Sequence, residues 1–161
     1  MGGVRYSRPE LLQPTHSLNT FSCADSSLEH WLQHRARKNH DTGGSRVFVV
    51  LTNAGEIAGY YALAAGSVSR AASPGRVRRN MPDPLPVAVL GRLAVHRDHT
   101  GKGIGAGLLK DAVLRVRGLS DELGIRALMC HAINEDALRF YLHHGFLVSP
   151  VEPMTLMLPL R

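Results

Sequence analysis

Glycine occupies every second position of residues 101–107, within a stretch, HTGKGIGAG, that lies between an apolar run and a long run with helical periodicity. Glycine lets the backbone turn tightly and approach a ligand closely, and the free N–H groups at the start of a helix concentrate positive potential. The stretch therefore predicts a cradle for a phosphate or another anion. Its spacing fits neither G-x-G-x-x-G nor G-x-x-x-x-G-K-S/T, so the loop alone also allows a turn that binds nothing.

Positive charge is in excess, with a formal net charge of +6 at pH 7 and a sequence pI of about 9.9. Such a chain attracts polyanions such as nucleic acid, although a basic surface without that partner remains an alternative. The notable cations are Arg35, Arg37, Lys38, Arg76, Arg78, Arg79 and Arg92. Those near residue 38 end a predicted helix, where cations also complement the helix macrodipole, so a structural role stays open there.

Length and composition bound the class of protein. A chain of 161 residues fits one domain, 1–161. No window approaches the roughly 18 apolar residues of a transmembrane helix, and the N-terminal stretch lacks the apolar core of a signal peptide, so we expect a cytoplasmic protein with no membrane partner. Cys23 and Cys130 are far apart in the sequence, so no disulfide framework is predicted. His30 and His34 have the spacing of the zinc motif H-E-x-x-H, but Trp31 stands where the motif has glutamate, so no metal is predicted.

The hydrophobic pattern predicts alternating helices and strands. Ser26 and Glu29 have the spacing of a capping box and open a helix over 27–39. Gly59 and Gly66 mark bulges or close backbone approaches within a strand. The other expected elements are strands at 47–51, 57–69, 87–95, 127–131, 146–148 and 155–160, helices at 104–123 and 134–144, and an exposed arginine-bearing loop at 70–86.

The order strand, glycine loop, helix, strand and helix, with the last helix ending in Tyr141-x-x-x-Gly145-Phe146, resembles the GNAT superfamily of acetyl-CoA-dependent N-acetyltransferases. Gly103-Ile104-Gly105 matches the glycines of that family's Q/R-x-x-G-x-G/A loop, and Thr100 departs from it where Gln or Arg is usual. The resemblance implies a mixed α/β (α+β) fold. Its central sheet is mostly antiparallel and twisted, splayed at the cofactor site and flanked by helices.

Over most of residues 28–146 the chain is similar to a subgroup, the acetyltransferase toxins of bacterial type II toxin-antitoxin modules. The similar stretches are Trp31-Leu32, 76–84 (RVRRNMPDP), 92–95 and 139–146. The resemblance implies transfer of acetyl from acetyl-CoA to the amino group of an aminoacyl-tRNA, which stops translation. It also implies a ribbon-helix-helix antitoxin as partner and a homodimer.

By the same resemblance, backbone groups hold acetyl-CoA. The N–H groups expected to bind its pyrophosphate are those of Lys102, Gly103, Ile104, Gly105 and Ala106, with the side chain of Lys102 adding a charge. The backbone expected to bind the pantetheine arm and to polarise the thioester carbonyl is that of Leu93, Ala94 and Val95, whose side chains are expected in the core.

Tyr141 is the candidate acid, because a phenol with a pKa near 10 is protonated at neutral pH and can donate to a departing thiolate. Residues 87–95 contain no carboxylate where many relatives place a general base. At pH 7, deprotonating a lysine amine requires about 4.6 kcal/mol and an α-amino group only about 1 kcal/mol. The missing base therefore favours an α-amino substrate, with water relayed through His96 or a backbone carbonyl as an alternative.

The resemblance makes the cations named above candidates for gripping the phosphates of the acceptor stem, contacts that position RNA without reading its bases. Arg92 fits a structural ion pair equally well. Two other functions remain open at this point. One is acetylation of a small amine or of protein lysine, and the other is a non-catalytic CoA-binding module.

Overall fold

The computed structural model describes residues 3–161, and Met1 and Gly2 lie outside the described residues. Within that range, seven strands form a sheet in the order β1-β2-β3-β4-β5-β7-β6. The pairs β1/β2, β2/β3, β5/β7 and β6/β7 are antiparallel and β4/β5 is parallel, so the expected mostly antiparallel sheet is confirmed. The elements are β1 (Glu10–Leu11), α1 (Ser26–His34), α2 (Ala36–Thr42), β2 (Arg46–Leu51), β3 (Ile57–Val68), α3 (Gly75–Arg78), β4 (Leu85–Val95), a 3-10 helix (Arg97–His99), α4 (Ile104–Ser120), β5 (Ala127–His131), α5 (Glu135–His143), β6 (Leu147–Val148) and β7 (Thr155–Pro159).

Two compact units can be distinguished, and the first comprises residues up to 63 and residues 92–112. In it, β2 pairs with β1 on one side and with β3 on the other. The apolar run of β2 is buried on both faces, which is why it reads as a continuous rather than an alternating pattern. The core of this unit includes Leu12, Phe21, Leu32, Val47, Tyr60 and Ala94.

The second unit comprises residues 64–91 and 113–161. In it, β4 pairs in parallel with β5 over Val87–Leu90, and β7 pairs with β5 and with β6. Its core includes Val77, Leu85, Val87, Ala127, Met129 and Met157. The strands expected near residues 90, 129 and 157 are therefore confirmed.

The cap of α1 differs from the expected one. Asp25 is the N-cap, and its carboxylate accepts hydrogen bonds from the N–H groups of Ser27 at 2.9 Å and of Leu28 at 3.0 Å. The hydrogen bond from the Ser27 hydroxyl, followed by that from the Leu28 N–H, lowers the pKa of Asp25. Glu29 instead accepts from the Cys23 N–H at 3.0 Å. The predicted capping box at Ser26 is wrong, because the Asp25 carboxylate caps the helix one residue earlier and Ser26 is the first helical residue.

The single helix expected over 27–39 is two helices that meet at Arg35. The buried positions Leu28, Leu32, Ala36 and His40 recur at every fourth residue. In a straight helix such a row drifts around the axis by about 40° at each step. The irregular backbone of Arg35, with φ of −121° and ψ of −29°, redirects the chain so that Ala36 and His40 stay buried.

The segment 70–86, expected as a loop, contains the short helix α3. Val77 is its one buried residue and belongs to the core of the second unit. One buried side chain gives no periodicity, which is why the sequence pattern did not reveal this helix. Asn80 follows with a φ of 59°, and β4 begins at the fully buried Leu85, two residues before the expected start.

The long helix α4 ends at Ser120 rather than at 123. Leu119 and Leu123 are 50% and 63% exposed, so the apolar pattern continues there without facing a core. None of the helices in the described part of the chain combines the length and the apolarity needed to cross a membrane.

Gly59 on β3 lies against the start of α4. A Cβ at this position would be 2.9 Å from Leu108 Cδ1, 3.1 Å from Ile104 Cγ2 and 3.1 Å from the carbonyl oxygen of Ala94. A Cβ at Gly66 would be 2.8 Å from Val89 Cγ2. The close backbone approach expected at Gly59 is confirmed, whereas at Gly66 the close neighbour is a side chain.

Replacing Asp25 by alanine should lower the free energy of unfolding by about 1 kcal/mol, because two N–H groups at the start of α1 lose their acceptor. Ser26→Ala is the matched control and should change that free energy by less than about 0.5 kcal/mol. Chemical denaturation at pH 7 measures both variants. A larger loss for Ser26→Ala than for Asp25→Ala would assign the cap to Ser26.

Gly59→Ala should lower the free energy of unfolding by about 1–3 kcal/mol, because the added methyl meets a backbone carbonyl that cannot rotate away. Gly118→Ala is the control: it lies in α4, its added Cβ meets open space, and we expect a gain of about 0.5–1 kcal/mol. Denaturant titrations compare the two variants. Equal effects at both positions would contradict tight packing of α4 on β3.

Candidate active site

Two glycines shape the loop that leads into α4. Gly101 and Gly103 have φ values of 73° and 80°, a region that residues with side chains rarely adopt. Gly107 lies inside α4, and a Cβ there would meet open space. The chain reversal therefore depends on Gly101 and Gly103, not equally on all the alternating glycines of the motif.

The start of α4 offers free donors. Its first helical hydrogen bond runs from the Gly107 N–H to the Gly103 carbonyl at 3.0 Å, so the N–H groups of Ile104, Gly105 and Ala106 have no acceptor within the helix. The buried side chain of Ile104 anchors this turn. The loop before it is exposed, and a Cβ at Gly101 or Gly103 would meet nothing within 4 Å. The geometry suits an anion approaching the positive end of the helix.

Residues distant in sequence hold the base of the loop, and the sequence patterns missed them. The Tyr6 hydroxyl lies 2.9 Å from His99 Nδ1, and the two rings pack edge to face. Arg97 donates to Ser22 Oγ at 2.6 Å and to the Cys23 carbonyl at 2.9 Å. No spacing rule relates these residues, so only the folded chain brings them together.

His96 is fixed by hydrogen bonds on both ring nitrogens. Its Nδ1 accepts from the Asp98 N–H at 3.0 Å, which leaves the proton on Nε2, 3.2 Å from the Thr20 carbonyl. The ring is buried and packs against Phe21. His96 therefore caps the 3-10 helix, and neither nitrogen is left to relay a proton, contrary to the alternative that the sequence allowed.

The stretch expected to contact pantetheine lies at the end of β4. The register of β4 with β5 covers Val87–Leu90, and Leu93, Ala94 and Val95 lie beyond it. Ala94 is buried, but Leu93 and Val95 are half-buried. Successive side chains of a strand point to opposite faces, so all three cannot share the core that Ala94 joins. The prediction of three core side chains is wrong for Leu93 and Val95.

Tyr141 lies on the last turn of α5, in a Schellman motif. Gly145 has a φ of 91°, and its N–H donates to the Leu142 carbonyl at 3.1 Å. The Phe146 N–H donates to the Tyr141 carbonyl at 3.1 Å, and the two rings pack with centroids 5.3 Å apart. These are the paired hydrogen bonds and the hydrophobic contact that end many helices. The spacing Tyr-x-x-x-Gly-Phe is thus the spacing of a helix terminus.

The Tyr141 side chain is 7% exposed. Burial, and secondarily the nearby Cys130 thiol, raise the pKa of the Tyr141 phenol above its ordinary range, which keeps it protonated. The Tyr141 hydroxyl has no hydrogen-bond partner within residues 3–161. Every fully buried side-chain oxygen or nitrogen in that range does have a partner, so this hydroxyl is not fully buried and is accessible to solvent. The proton on Tyr141 is therefore both retained and accessible.

Arg76 and Arg78 lie on α3, and Arg79 is the residue that follows it. Arg76, Arg78 and Arg79 are exposed, and none has an acidic partner among the described residues. Arg126 positions this segment: its guanidinium donates to the Val77 carbonyl at 2.9 Å and to the Arg76 carbonyl at 3.2 Å. The sequence did not single out Arg126, because its role is to hold backbone carbonyls at the end of a helix that the pattern did not predict.

The cations near residue 37 have different surroundings. Arg37 donates to the carbonyls of Gln13 at 3.1 Å and His16 at 2.8 Å, so it secures the N-terminal segment. Arg35 and Lys38 are exposed. Arg37 therefore uses two of its guanidinium N–H groups within the protein, so the three predicted RNA contacts differ in their surroundings.

Arg92 forms no ion pair with any described residue; its guanidinium carbon lies 4.8 Å from the centroid of the Trp31 ring. Trp31 in turn stacks on Tyr60, with ring centroids 6.0 Å apart and planes inclined by 10°. Arg92, Trp31 and Arg35 line a cleft of about 800 Å³ along α1 and α2, which we call the Trp31 cleft. The ion-pair alternative for Arg92 is replaced by a cation-π contact.

Within residues 3–161, no three His, Cys, Asp or Glu side chains are grouped so as to hold a metal ion. Cys23 and Cys130 are free and buried, and burial raises the pKa of the Cys130 thiol to about 12. Neither thiol is a reactive group at neutral pH.

Comparison with known proteins agrees with this arrangement. The acetyltransferase (GNAT) domain model matches residues 43–148. A tRNA-acetylating toxin of Mycobacterium tuberculosis (strain ATCC 25618 / H37Rv) is 46% identical over 97% of this chain and 93% of its own. The structure of AtaT complexed with acetyl-methionyl-tRNAfMet has a TM-score of 0.87 and 28% identity, covering 98% of this chain and 95% of AtaT. A mutant of AtaT bound to acetyl-CoA and to the C-terminus of the antitoxin AtaR has a TM-score of 0.81 and 27% identity, covering 98% and 93%.

The matched segment 43–148 contains the glycine loop, the first turn of α4 and the helix terminus that carries Tyr141. The 46% identity extends beyond that segment to α1 and to the C-terminal strands, because it covers 97% of the chain. The chain therefore belongs to the GNAT acetyltransferase family.

Proposed function

We propose that this protein transfers the acetyl group of acetyl-CoA to the α-amino group of an aminoacyl-tRNA and thereby blocks translation. The observation that carries the proposal is the near full-length similarity to a protein named a tRNA-acetylating toxin. The exposed arginines of α3, which have no acidic partners among the described residues, supply the matching surface for RNA.

The start of α4 fits the pyrophosphate of acetyl-CoA. The N–H groups assigned to it are those of Lys102, Gly103, Ile104, Gly105 and Ala106. Three of them are unbonded at the helix start, and the exposed, open surface over Gly101 and Gly103 leaves room for the ligand. The backbone of Leu93, Ala94 and Val95, beyond the end of the β4/β5 register, is assigned to the pantetheine arm and to polarising the thioester carbonyl.

Tyr141 is assigned as the acid. Acetyl-CoA supplies the activated acyl carbon; the amine forms the new C–N bond, the C–S bond breaks, and the Tyr141 hydroxyl gives its proton to the sulfur that leaves. Burial keeps this phenol protonated until that moment, while its accessible hydroxyl permits the transfer.

A general base is not needed for an α-amino group. β4 carries no carboxylate, and both nitrogens of His96 are already hydrogen-bonded. Deprotonating an α-amino group with a pKa near 7.7 costs about 1 kcal/mol at pH 7, which is a small addition to the activation free energy. The absence of a carboxylate from β4 therefore favours the α-amino group of an aminoacyl ester over a lysine side chain as the acceptor.

The partners extend the proposal. AtaT is described in complex with the antitoxin AtaR, and we propose an antitoxin of ribbon-helix-helix type for this chain as well. We also propose that the protein forms a homodimer, acts in the cytoplasm and folds as one domain. Co-purification of the product of the neighbouring reading frame tests the antitoxin, and light scattering of the purified protein tests the homodimer.

Tyr141→Phe should reduce kcat for acetylation of charged tRNA about 100-fold or more, because the substitution removes the proton donor and little volume. Acetyl-CoA affinity should be unchanged. Tyr61→Phe is the control, since Tyr61 is fully buried and its hydroxyl bonds to Asp111, and it should keep its kcat. Transfer of labelled acetyl to total charged tRNA is the measurement.

The same assay distinguishes the other functions. Acetylation of polyamines or lysine peptides, but not of charged tRNA, would identify a different acceptor. Binding of acetyl-CoA without transfer to any amine would identify a non-catalytic module. A Tyr141→Phe variant with wild-type kcat would remove Tyr141 from the acid role.

Replacing Arg78 and Arg79 together by glutamine should raise KM for charged tRNA and lessen its salt dependence, by about 0.9 in logarithmic slope for each lost phosphate contact. Acetyl-CoA affinity should not change. The matched control replaces Arg139 and Arg161, which are paired with Asp136 and Asp121. It removes the same charge, and equal effects of the two double variants would show that net charge alone matters.

A further inference from the structure

We propose that the Trp31 cleft binds an unpaired base of the RNA substrate, stacked on the Arg92 guanidinium that Trp31 holds in place. This inference rests on the proposed function, because it adds a subsite for the same RNA. It assigns Arg92 a different role from the arginines of α3. Those provide exposed charges for phosphates, whereas Arg92 presents a flat cation.

Tyr60, Trp31 and Arg92 form a stack, which we call the platform, and its innermost member is held by the protein core. Tyr60 is fully buried, and its hydroxyl donates to the Leu28 carbonyl of α1 at 2.6 Å. Trp31, on the same helix, stacks on Tyr60 at an interplanar angle of 10°. Because α1 carries both Trp31 and the carbonyl that fixes Tyr60, one helix holds the aromatic pair.

Arg92 completes the platform from β4. Its guanidinium lies over the Trp31 ring at 4.8 Å and has no ion-pair partner among residues 3–161. Contact with an aromatic face restricts the rotamers of an arginine before any ligand arrives, so less entropy remains to be lost on binding. Guanidinium planes and aromatic faces are the surfaces on which proteins stack the splayed bases of single-stranded RNA.

Most other polar groups of the cleft already have partners. The Gln33 amide donates to the Phe21 carbonyl at 2.7 Å, and Asn39 Oδ1 accepts from the Ser45 hydroxyl at 3.1 Å. Glu29 accepts from the Cys23 N–H and lies 3.8 Å from Arg97, which compensates its charge.

The cleft still offers a ligand two arginines, together with the exposed Ser26 hydroxyl and His30 ring. Arg35 is exposed at the junction of α1 and α2, and Arg92 lies on Trp31. Such a set suits a planar base attached to an anionic backbone. The cleft, at about 800 Å³, is within the range of about 300–1,000 Å³ typical of sites for single small ligands.

An acidic peptide would use the same cations differently. Carboxylates need charge and hydrogen-bond donors at Arg92, which a lysine also supplies, whereas stacking needs the plane of the guanidinium. The contact between Arg92 and Trp31 favours the base.

The experiment therefore compares arginine-to-lysine substitutions at one position inside the cleft and one position outside it. Arg92→Lys keeps the charge and removes the plane, and it should raise KM for charged tRNA about tenfold with kcat unchanged, the effect of one lost base stack. The slope of log KM against log salt should stay the same. Arg161→Lys is the control, because Arg161 is exposed, paired with Asp121 and outside the Trp31 cleft, and its KM should change less than about twofold. Unchanged melting temperature and acetyl-CoA affinity verify that both variants fold.

A fluorescent base gives a direct readout on the wild-type protein. An RNA hairpin whose single-stranded 3′ end carries 2-aminopurine should change its fluorescence on binding, because this base responds when it leaves its neighbours in the strand, and Arg92→Lys should abolish the change. No change of fluorescence with the wild-type protein, or a wild-type KM for Arg92→Lys, would overturn the proposal. Binding of a glutamate-rich peptide that excludes the hairpin and tolerates Arg92→Lys would also overturn it and assign the cleft to a protein.

The two proposals fail separately. Absence of acetyl transfer to charged tRNA would refute the proposed function, whereas the hairpin measurement needs no acetyl transfer. A protein that acetylates charged tRNA but leaves the 2-aminopurine fluorescence unchanged would retain its function and lose this subsite.

Discussion

The first turn of α4 depends on a position of β3 that has no side chain. At Gly59 the helix approaches so closely that a Cβ would lie 3.1 Å from the Ala94 carbonyl oxygen and 2.9 Å from Leu108 Cδ1. The position of the free N–H groups at the start of α4 therefore depends on this close packing against β3, whereas Gly101 and Gly103 supply the chain reversal before the helix.

A second backbone constraint acts at Tyr141. Helix termination requires a left-handed residue, which is Gly145, and it places the next residue, Phe146, against the last helical turn. That turn is the one that carries Tyr141, so the same hydrogen bonds that end α5 also hold the phenol against an aromatic neighbour. The motif thus combines a general rule of helix structure with a phenol that burial keeps protonated.

Periodicity and glycine placement predicted most strands, the loop before a long helix and the close approach at Gly59, because each depends on local spacing. The cap of α1, the break at Arg35 and the helix α3 were not predicted. Each is decided by which donor meets which acceptor, or by which side chain is buried, and these depend on the tertiary structure. The same reason explains His96, whose residue type suggests proton transfer while its two hydrogen bonds assign it to a cap.

The net charge predicts the sign of the electrostatic potential around the protein, but it does not predict which arginines are available to a ligand. Those that donate to backbone carbonyls include Arg37, Arg46, Arg97 and Arg126, and those paired with carboxylates include Arg139 and Arg161. A guanidinium already hydrogen-bonded within the protein has fewer of its five N–H groups left for a phosphate, and the fold fixes its position. An exposed, unpartnered one gains the full counterion release. Arg92 follows neither case, since an aromatic ring orders it without consuming its donors, and that leaves a flat surface ready for a flat ligand.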